Sequence, residues 1–454
     1  MKKQVLTLAL SLAMLAATAT GCASSSPSTG STASSGSSGS ESASTGDAVN
    51  IRILTRYSNP DNVREKYFMD MVEKFNAEHD NIHLEDISIS DENSRDAKFK
   101  TSVASGDPIE VFNFLGYASN LEYVQNSVVA DLSAEMEQDA DWLSSYNKAL
   151  FGPVTYDDYG VPGIYGVPTT PYGVCTFYNQ AIFDKLDMEL PLTWEAIEAA
   201  TPILVENGYV PMAFGAKDSY RGGHFLTALS MKYYGSDLKD ELVSLETAWN
   251  DEKTVTLIDF MQRLYKNGVF GSNNLAYTAD GELSKLESGE AAICFSGSWN
   301  IATINGFTNA ADIVCAGFPS FADKPEYAGM WMGGPDDFLS ISSKPGDADY
   351  DATLTVLKYF TSYEYWEGLY QLQSGAGTYP VASFTKEIEA DKLSNEFNSY
   401  YQKAENMIGE IEQYDTMPSL MDIVRTELQT IFSGNDAQDI ADRIQNEVDS
   451  YKAG

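Results

Sequence analysis

Basic residues are scarce. Against 66 Asp and Glu the chain has 29 Lys and Arg, a formal charge of −37 at pH 7. It therefore lacks the cationic surface that displaces counterions from a phosphate backbone, or that would hold the body flat on anionic lipid. Nucleic acid is excluded as a partner. Histidine is scarcer still: His79, His83 and His224 are the only three, and an isolated histidine reads as structural rather than catalytic. No G-x-S-x-G, H-E-x-x-H, phosphate loop or Rossmann glycine fingerprint is present, so the sequence carries no enzyme signature and calls for no cofactor. The four cysteines show no Cys-x-x-Cys or Cys/His spacing for a metal. Cys175, Cys294 and Cys315 lie in apolar, strand-like runs and read as buried thiols, with Cys294–Cys315 the better pair for a disulfide in an oxidising compartment. Asp347, Asp349 and Asp351 imitate the start of a calcium loop. Ala352 stands where that loop needs Gly and Lys358 where it needs the closing Glu, so the acids read as caps for the next helix.

The chain also has no apolar run long enough to span a bilayer permanently; Val5 to Ala17 is the nearest. That run follows Lys2 and Lys3 and precedes Thr18-Ala19-Thr20-Gly21, the layout of a secretory signal over residues 1–21. Cys22 directly after small residues resembles the bacterial lipobox, with Ala19 where the motif usually has Leu. The resemblance implies acylation of Cys22 and a lipid anchor. From Ser24 to Gly46, 12 of 23 residues are Ser and 4 are Gly, too polar to repay ordering entropy, so residues 22–47 read as a flexible tether of roughly 25–30 Å reach.

What is abundant is alternation of strand-like and helix-like patterns. Val49, Ile51 and Ile53 mark a strand, Asn59-Pro60 a helix start, and Phe68, Met71, Val72 and Phe75 one buried stripe. Ile82–Ile89 and Ile109–Phe114 read as further strands with a helix from about Asp96 to Ser105 between them, a parallel α/β arrangement. The pattern resumes with a helix at Trp194–Val205, a strand at Val210–Phe214, helices near 223–234 and 254–266, and strands at Ala291–Phe295 and Ile313–Phe318. Asp351–Tyr370 reads as one long amphipathic helix, and a last helix pair carries Leu420 to Ile431 and Ile440 to Val448. Between the two α/β runs, Gly160–Asn179 is β-branched, aromatic and broken by Pro162, Pro168 and Pro171. It reads as an extended crossing between two bodies, and Gly329–Ser342 as a second. A chain of 454 residues is too long for one core. The expected lobes are residues 48–168 plus 329–374 and residues 169–328 plus 375–454, each a mostly parallel sheet flanked by helices.

Aromatic and planar polar residues recur just past the strands, where open α/β sheets bind ligands. Tyr57 and Asn59 follow the first strand, and Asn113 and Tyr117 the third. Tyr172 lies in the first crossing, Asp218 and Tyr220 follow the Val210 strand, Trp299 follows the Ala291 strand, and Trp331, Asp336 and Asp337 lie on the second crossing. Stacking rings with polar rims suit a sugar, which offers C–H faces edged by hydroxyls.

The order of motifs resembles the extracellular solute-binding proteins of ABC transporters, in the carbohydrate-binding family related to maltose-binding protein. The pieces are the lipobox, YFMDMVEKFNAEH, SGDPIEVF, YGVPTTPYGVCTFYNQAIFDK with LTWEAIEAA, LESGEAAICFSGSW, MWMGGPDDFLSIS and MPSLMDIVRTEL. The resemblance implies a two-lobed, type II periplasmic-binding-protein-like α/β fold that closes on a sugar or oligosaccharide and delivers it to a membrane permease. It further implies a monomer held on the extracellular face of the cell membrane. It carries ligand-binding roles onto Trp299, Tyr172, Asp218 and Tyr220. Met421 stands where relatives often place a stacking ring, Arg425 is within reach of the cleft, and Glu110 replaces the usual Asp. Two other readings keep the same residues: a metal-ion or anion receptor on the same fold, and an extracellular glycosidase using Asp336 or Glu92.

Overall fold

The computed structural model describes residues 48–335, 337–343 and 350–453. The expected signal segment and tether, with Cys22, and Asp336, Asp347 and Asp349 lie outside them. Among the described residues eleven strands form two sheets: β1 (Val49–Leu54), β2 (Ile82–Asp86), β3 (Val111–Phe114), β4 (Val167–Pro168), β5 (Pro171–Asn179), β6 (Val210–Ala213), β7 (Ala291–Gly297), β8 (Ile313–Gly317), β9 (Met330–Pro335), β10 (Phe338–Ile341) and β11 (Asn406–Ile408). The first sheet runs β2-β1-β3-β10-β4. The second runs β11-β9-β5-β7-β6, with β8 also paired to β5.

Both sheets are mixed rather than mostly parallel. β1 is parallel to β2 and β3, and β6 to β7, as βα units require. The crossing strands run against them: β10 is antiparallel to β3 and β4, and β5 to β7, β8 and β9. Each sheet has its own core. Ile51, Ile53, Phe68, Phe75, Phe112 and Val356 pack in the first, Phe214, Phe225, Phe295 and Leu428 in the second, and we call these bodies the lobes. The described residues nonetheless form one compact unit.

The chain passes between sheets at two adjacent points. β4 ends at Pro168 and β5 begins at Pro171, while β9 ends at Pro335 and β10 begins at Phe338. The passages are paired side by side, Pro171 opposite Pro335 and Phe338 opposite Pro168. Met330–Pro335 thus belongs to the second sheet, although the sequence reading put residues 329–374 with the first lobe. A further strand of chain touches the same place, where Thr378 Oγ1 donates to the Pro171 carbonyl.

Local chemistry explains where the elements depart from the sequence reading. The first helix is Val63–Glu78, because Asn62, not Asn59, accepts from the backbone N–H groups of Arg64 and Glu65. The second starts at Glu92, capped by Asp91. The expected Asp351–Tyr370 helix is two, Tyr350–Phe360 and Tyr363–Leu372. Ser362 takes an extended conformation and caps the second by accepting from the Tyr365 N–H. The three thiols, Cys175, Cys294 and Cys315, are buried and unpaired. Among the described residues no helix is long and apolar enough to cross a membrane.

Candidate functional site

Beside the passage points the lobes meet along a polar seam, and the second lobe presents an aromatic wall there. Tyr172, at the start of β5, lies nearly parallel to the His224 imidazole with centroids 6.1 Å apart, and Trp299 stands 5.9 Å from each. Tyr220, one helical turn before His224 on the Tyr220–Tyr234 helix, meets it edge-on at 5.0 Å. Trp299 reaches this position because Gly297 has no side chain: a Cβ there would lie 2.0 Å from the indole ring. Burial, reinforced by Arg425 and Arg221, pushes His224 well below the usual imidazole range, so it is a neutral ring. Its Nδ1 is buried with no hydrogen-bond partner.

Beneath the wall is a knot of charge. Arg425, 4 % exposed, points its Nε at Glu410 Oε1 at 3.0 Å and its NH2 group at the other oxygen. Its NH1 group reaches Glu92 of the first lobe at 2.9 Å. Glu412 lies against Glu410 without a hydrogen bond of good geometry, and burial beside that second carboxylate pushes it up to about 8. Burial opposes charge on Glu92 as well, but Arg425 and Arg95 outweigh it and hold that carboxyl below its ordinary range. Gly223 makes the knot possible, since a Cβ there would stand 2.1 Å from Glu410 Oε1 and 2.7 Å from Glu412 Oε1.

The first lobe supplies a polar edge. The Arg56 N–H donates to Asn113 Oδ1 at 3.0 Å, leaving Asn113 Nδ2 buried and unpartnered. The Arg56 guanidinium lies 3.4 Å from Asp337. A cavity of about 60 Å³ opens between Arg56, Asn113, Lys100, Met421 and Asp422. It has room for a few waters and is far smaller than the several hundred Å³ of a ligand pocket. Direct contacts close the rest of the seam: Asn59 Nδ2 donates to Asp280 at 3.1 Å, Lys100 reaches Asp422 at 3.2 Å, and the Tyr117 ring meets Tyr414 at 5.1 Å.

Of the residues proposed from sequence, Tyr172, Tyr220 and Trp299 come together, with Asn59, Asn113 and Tyr117 at the seam. Asp218 lies near its margin, where its carboxylate accepts from the Ala279 N–H at 2.8 Å; burial raises its pKa. Asp337 is 2 % exposed and holds the passage point, accepting from Thr169 Oγ1 and pairing with Arg56. Two proposed residues are packed inside their lobes instead. Tyr57 is tilted against the Phe68 ring and accepts from Arg64, and Trp331 lies among Phe397, Tyr401 and Lys232. A ring just past a strand fits a core as well as a cleft, which is why position alone misplaced them. His224, Glu410 and Glu412 were missed. The Tyr220/His224 spacing of four within one helix was the available signal for the first; the acids lie in a stretch with no legible period.

A model of the bacterial extracellular solute-binding protein family matches residues 59–344. The chain belongs to that family. Solved structures resemble its fold over most of its length. A chitin oligosaccharide binding protein is 20% identical over 89% of this chain and 98% of its own, with a TM-score of 0.77. Maltose-bound MalE3 of T. maritima is 17% identical over 89% and 100%, with a TM-score of 0.69. The solute-binding protein RafE in complex with raffinose is 18% identical over 88% and 98%, with a TM-score of 0.65. No curated protein sequence matches the chain. At these identities the likeness establishes the fold, which is the type II binding-protein architecture of mixed α/β lobes.

Proposed function

We propose that this solute-binding protein is a non-catalytic receptor that closes its lobes on a neutral sugar or oligosaccharide and presents it to the permease of an ABC importer. It acts as a monomer, secreted through residues 1–21 and held at the outer face of the cell membrane by acylated Cys22 and the 22–47 tether. The observation that carries the reading is the wall of Tyr172, Tyr220 and Trp299 around a neutral His224 on the second lobe, with the Arg56 charge of the first lobe near enough to act on that imidazole. Rings take the C–H faces of a pyranose, and the unpartnered His224 Nδ1 and Asn113 Nδ2 supply an acceptor or donor for its hydroxyls. The cations around the seam are already matched by carboxylates, Arg425 by Glu410 and Glu92, Lys100 by Asp422 and Arg95 by Asp96, which disfavours an anionic ligand. The described relatives of the same fold that bind chitin oligosaccharide, maltose and raffinose support a saccharide.

A saccharide panel measured by thermal shift tests the reading. A ligand that binds only the folded state at a hundred times its Kd stabilises it by about 2.7 kcal/mol, which moves the midpoint by several degrees. One or more neutral saccharides should do this and be recovered unchanged. A shift given only by metal ions or inorganic anions, or conversion of the sugar, would overturn it.

A further inference from the structure

Among the described residues three links to a carboxylate cross the seam, and they are not equivalent. Asn59–Asp280 and Lys100–Asp422 join largely exposed groups, where water competes and little stability results. The third joins Arg425 to Glu92 at 2.9 Å, with the side chains 5 % and 21 % exposed.

Each half of that third pair is fixed within its own lobe before it meets the other. In the second lobe Glu410, fully buried, holds the Arg425 guanidinium in a two-bonded fork. In the first lobe Glu92 is the first residue of its helix, and Arg95, one turn along, stands 3.6 Å from its carboxylate. Such preorganisation removes most of the side-chain entropy that an ion pair normally costs. It also makes the pair reversible. Were the lobes to part, Arg425 would keep Glu410 and Glu92 would keep Arg95, so neither charge would be stranded without a partner. A pair that can be broken without leaving a buried, unpaired charge is suited to a joint that opens and closes.

We propose that Glu92 is a positioning residue for ligand binding: by receiving Arg425 across the seam it holds the lobes shut, and it raises saccharide affinity without touching the saccharide. This rests on the closing-receptor reading above and adds which side chains bias the closed state. Only a contact present in one state and absent from the other can shift their balance, and this contact is of that kind. Glu410 then serves to aim Arg425, and Gly223 to leave room for Glu410.

The test uses Glu92→Gln, which keeps shape and removes charge, and Glu92→Asp, which keeps charge and shortens the reach by one methylene. Small-angle scattering of the full chain without saccharide should give a larger radius of gyration for both variants than for wild type, with thermal midpoints within a few degrees. Stopped-flow tryptophan fluorescence would follow, with whichever of xylotriose, maltotriose, cellotriose or chitotriose shifts the wild-type midpoint most. Dissociation should quicken about tenfold while association changes by less than about twofold, as loss of a desolvated pair acts on the off-rate. Superimposable scattering of wild type and variants would overturn the latch. So would tighter binding by the variants, because Glu92 would then be competing with the sugar for Arg425. If none of the saccharides binds, the receptor reading fails, and the scattering comparison alone decides whether Glu92 holds the lobes together.

Discussion

Replacing Gly223 with Ala tests the charge knot from below. The added methyl would stand 2.1 Å from Glu410 Oε1, 2.7 Å from Glu412 Oε1 and 3.2 Å from Arg425 Cγ. The first two distances are shorter than carbon and oxygen tolerate, so the carboxylates must move. Neither can move cheaply: both glutamates are fully buried, and Glu410 is held by Arg425. Overpacking costs about 1–3 kcal/mol, and displacing one member of a buried pair about 3–5 kcal/mol if the pair is lost outright. Ala in place of Gly inside a helix returns about 1 kcal/mol. Partial displacement therefore leaves a net loss of roughly 3 kcal/mol, which should lower the urea midpoint by about 0.5–1 M. Gly152→Ala is the control, because a Cβ there meets nothing within 4 Å; its midpoint should stay within what about 0.5 kcal/mol produces. Equal midpoints for Gly223→Ala and wild type would refute the packing argument, and with it the claim that Gly223 is there to admit the acids.

Trp299→Ala should weaken binding of the best saccharide at least tenfold, about 1.4 kcal/mol, with the unliganded midpoint little changed because the ring is only partly buried; calorimetric titration showing unchanged affinity would remove Trp299 from the site. Stability should also fall as pH rises from about 5 to 8. Burial raises Glu412 to about 8 and Glu282 to about 7, so the folded state keeps protons that the unfolded chain has released, and that stability is lost as pH climbs through the folded values. Lys232, lowered by burial to about 7, and His224, held well below the usual imidazole range, have the opposite sign; Lys232 acts above about 7 and His224 below about 6.5, where the two glutamates outnumber it. Thermal midpoints should therefore decline between pH 5 and 8, less steeply in Glu412→Gln; a flat wild-type profile would contradict the burial argument.

The strands and the lobed plan were legible because they rest on local period. Val49, Ile51 and Ile53 alternate, Phe68, Val72 and Phe75 form a stripe, and proline punctuates both passages between the sheets. The mixed character of the sheets was not legible, since strand direction depends on pairings hundreds of residues apart, such as Phe338 with Phe114. Asn59 read as the cap of the first helix, but Asn62 accepts from the Arg64 and Glu65 N–H groups while Asn59 Nδ2 reaches Asp280. Trp299, Tyr172 and Tyr220 were picked out by the same rule that picked Tyr57 and Trp331, a ring just past a strand, and only their packing around His224 separates the two groups. Glu410 and Glu412 could not be read, because an acid in an irregular stretch of so acidic a chain carries no signal until Arg425 and Gly223 are seen beside it.

The account turns on where a sugar sits. A crystal structure grown with the saccharide that gives the largest thermal shift is the most direct measurement. The predicted result is a pyranose ring against Trp299 and Tyr172, with hydroxyls facing Asn113 and Arg56 and both lobes in contact with it. A saccharide bound on an outer face, or touching one lobe only, would contradict the account.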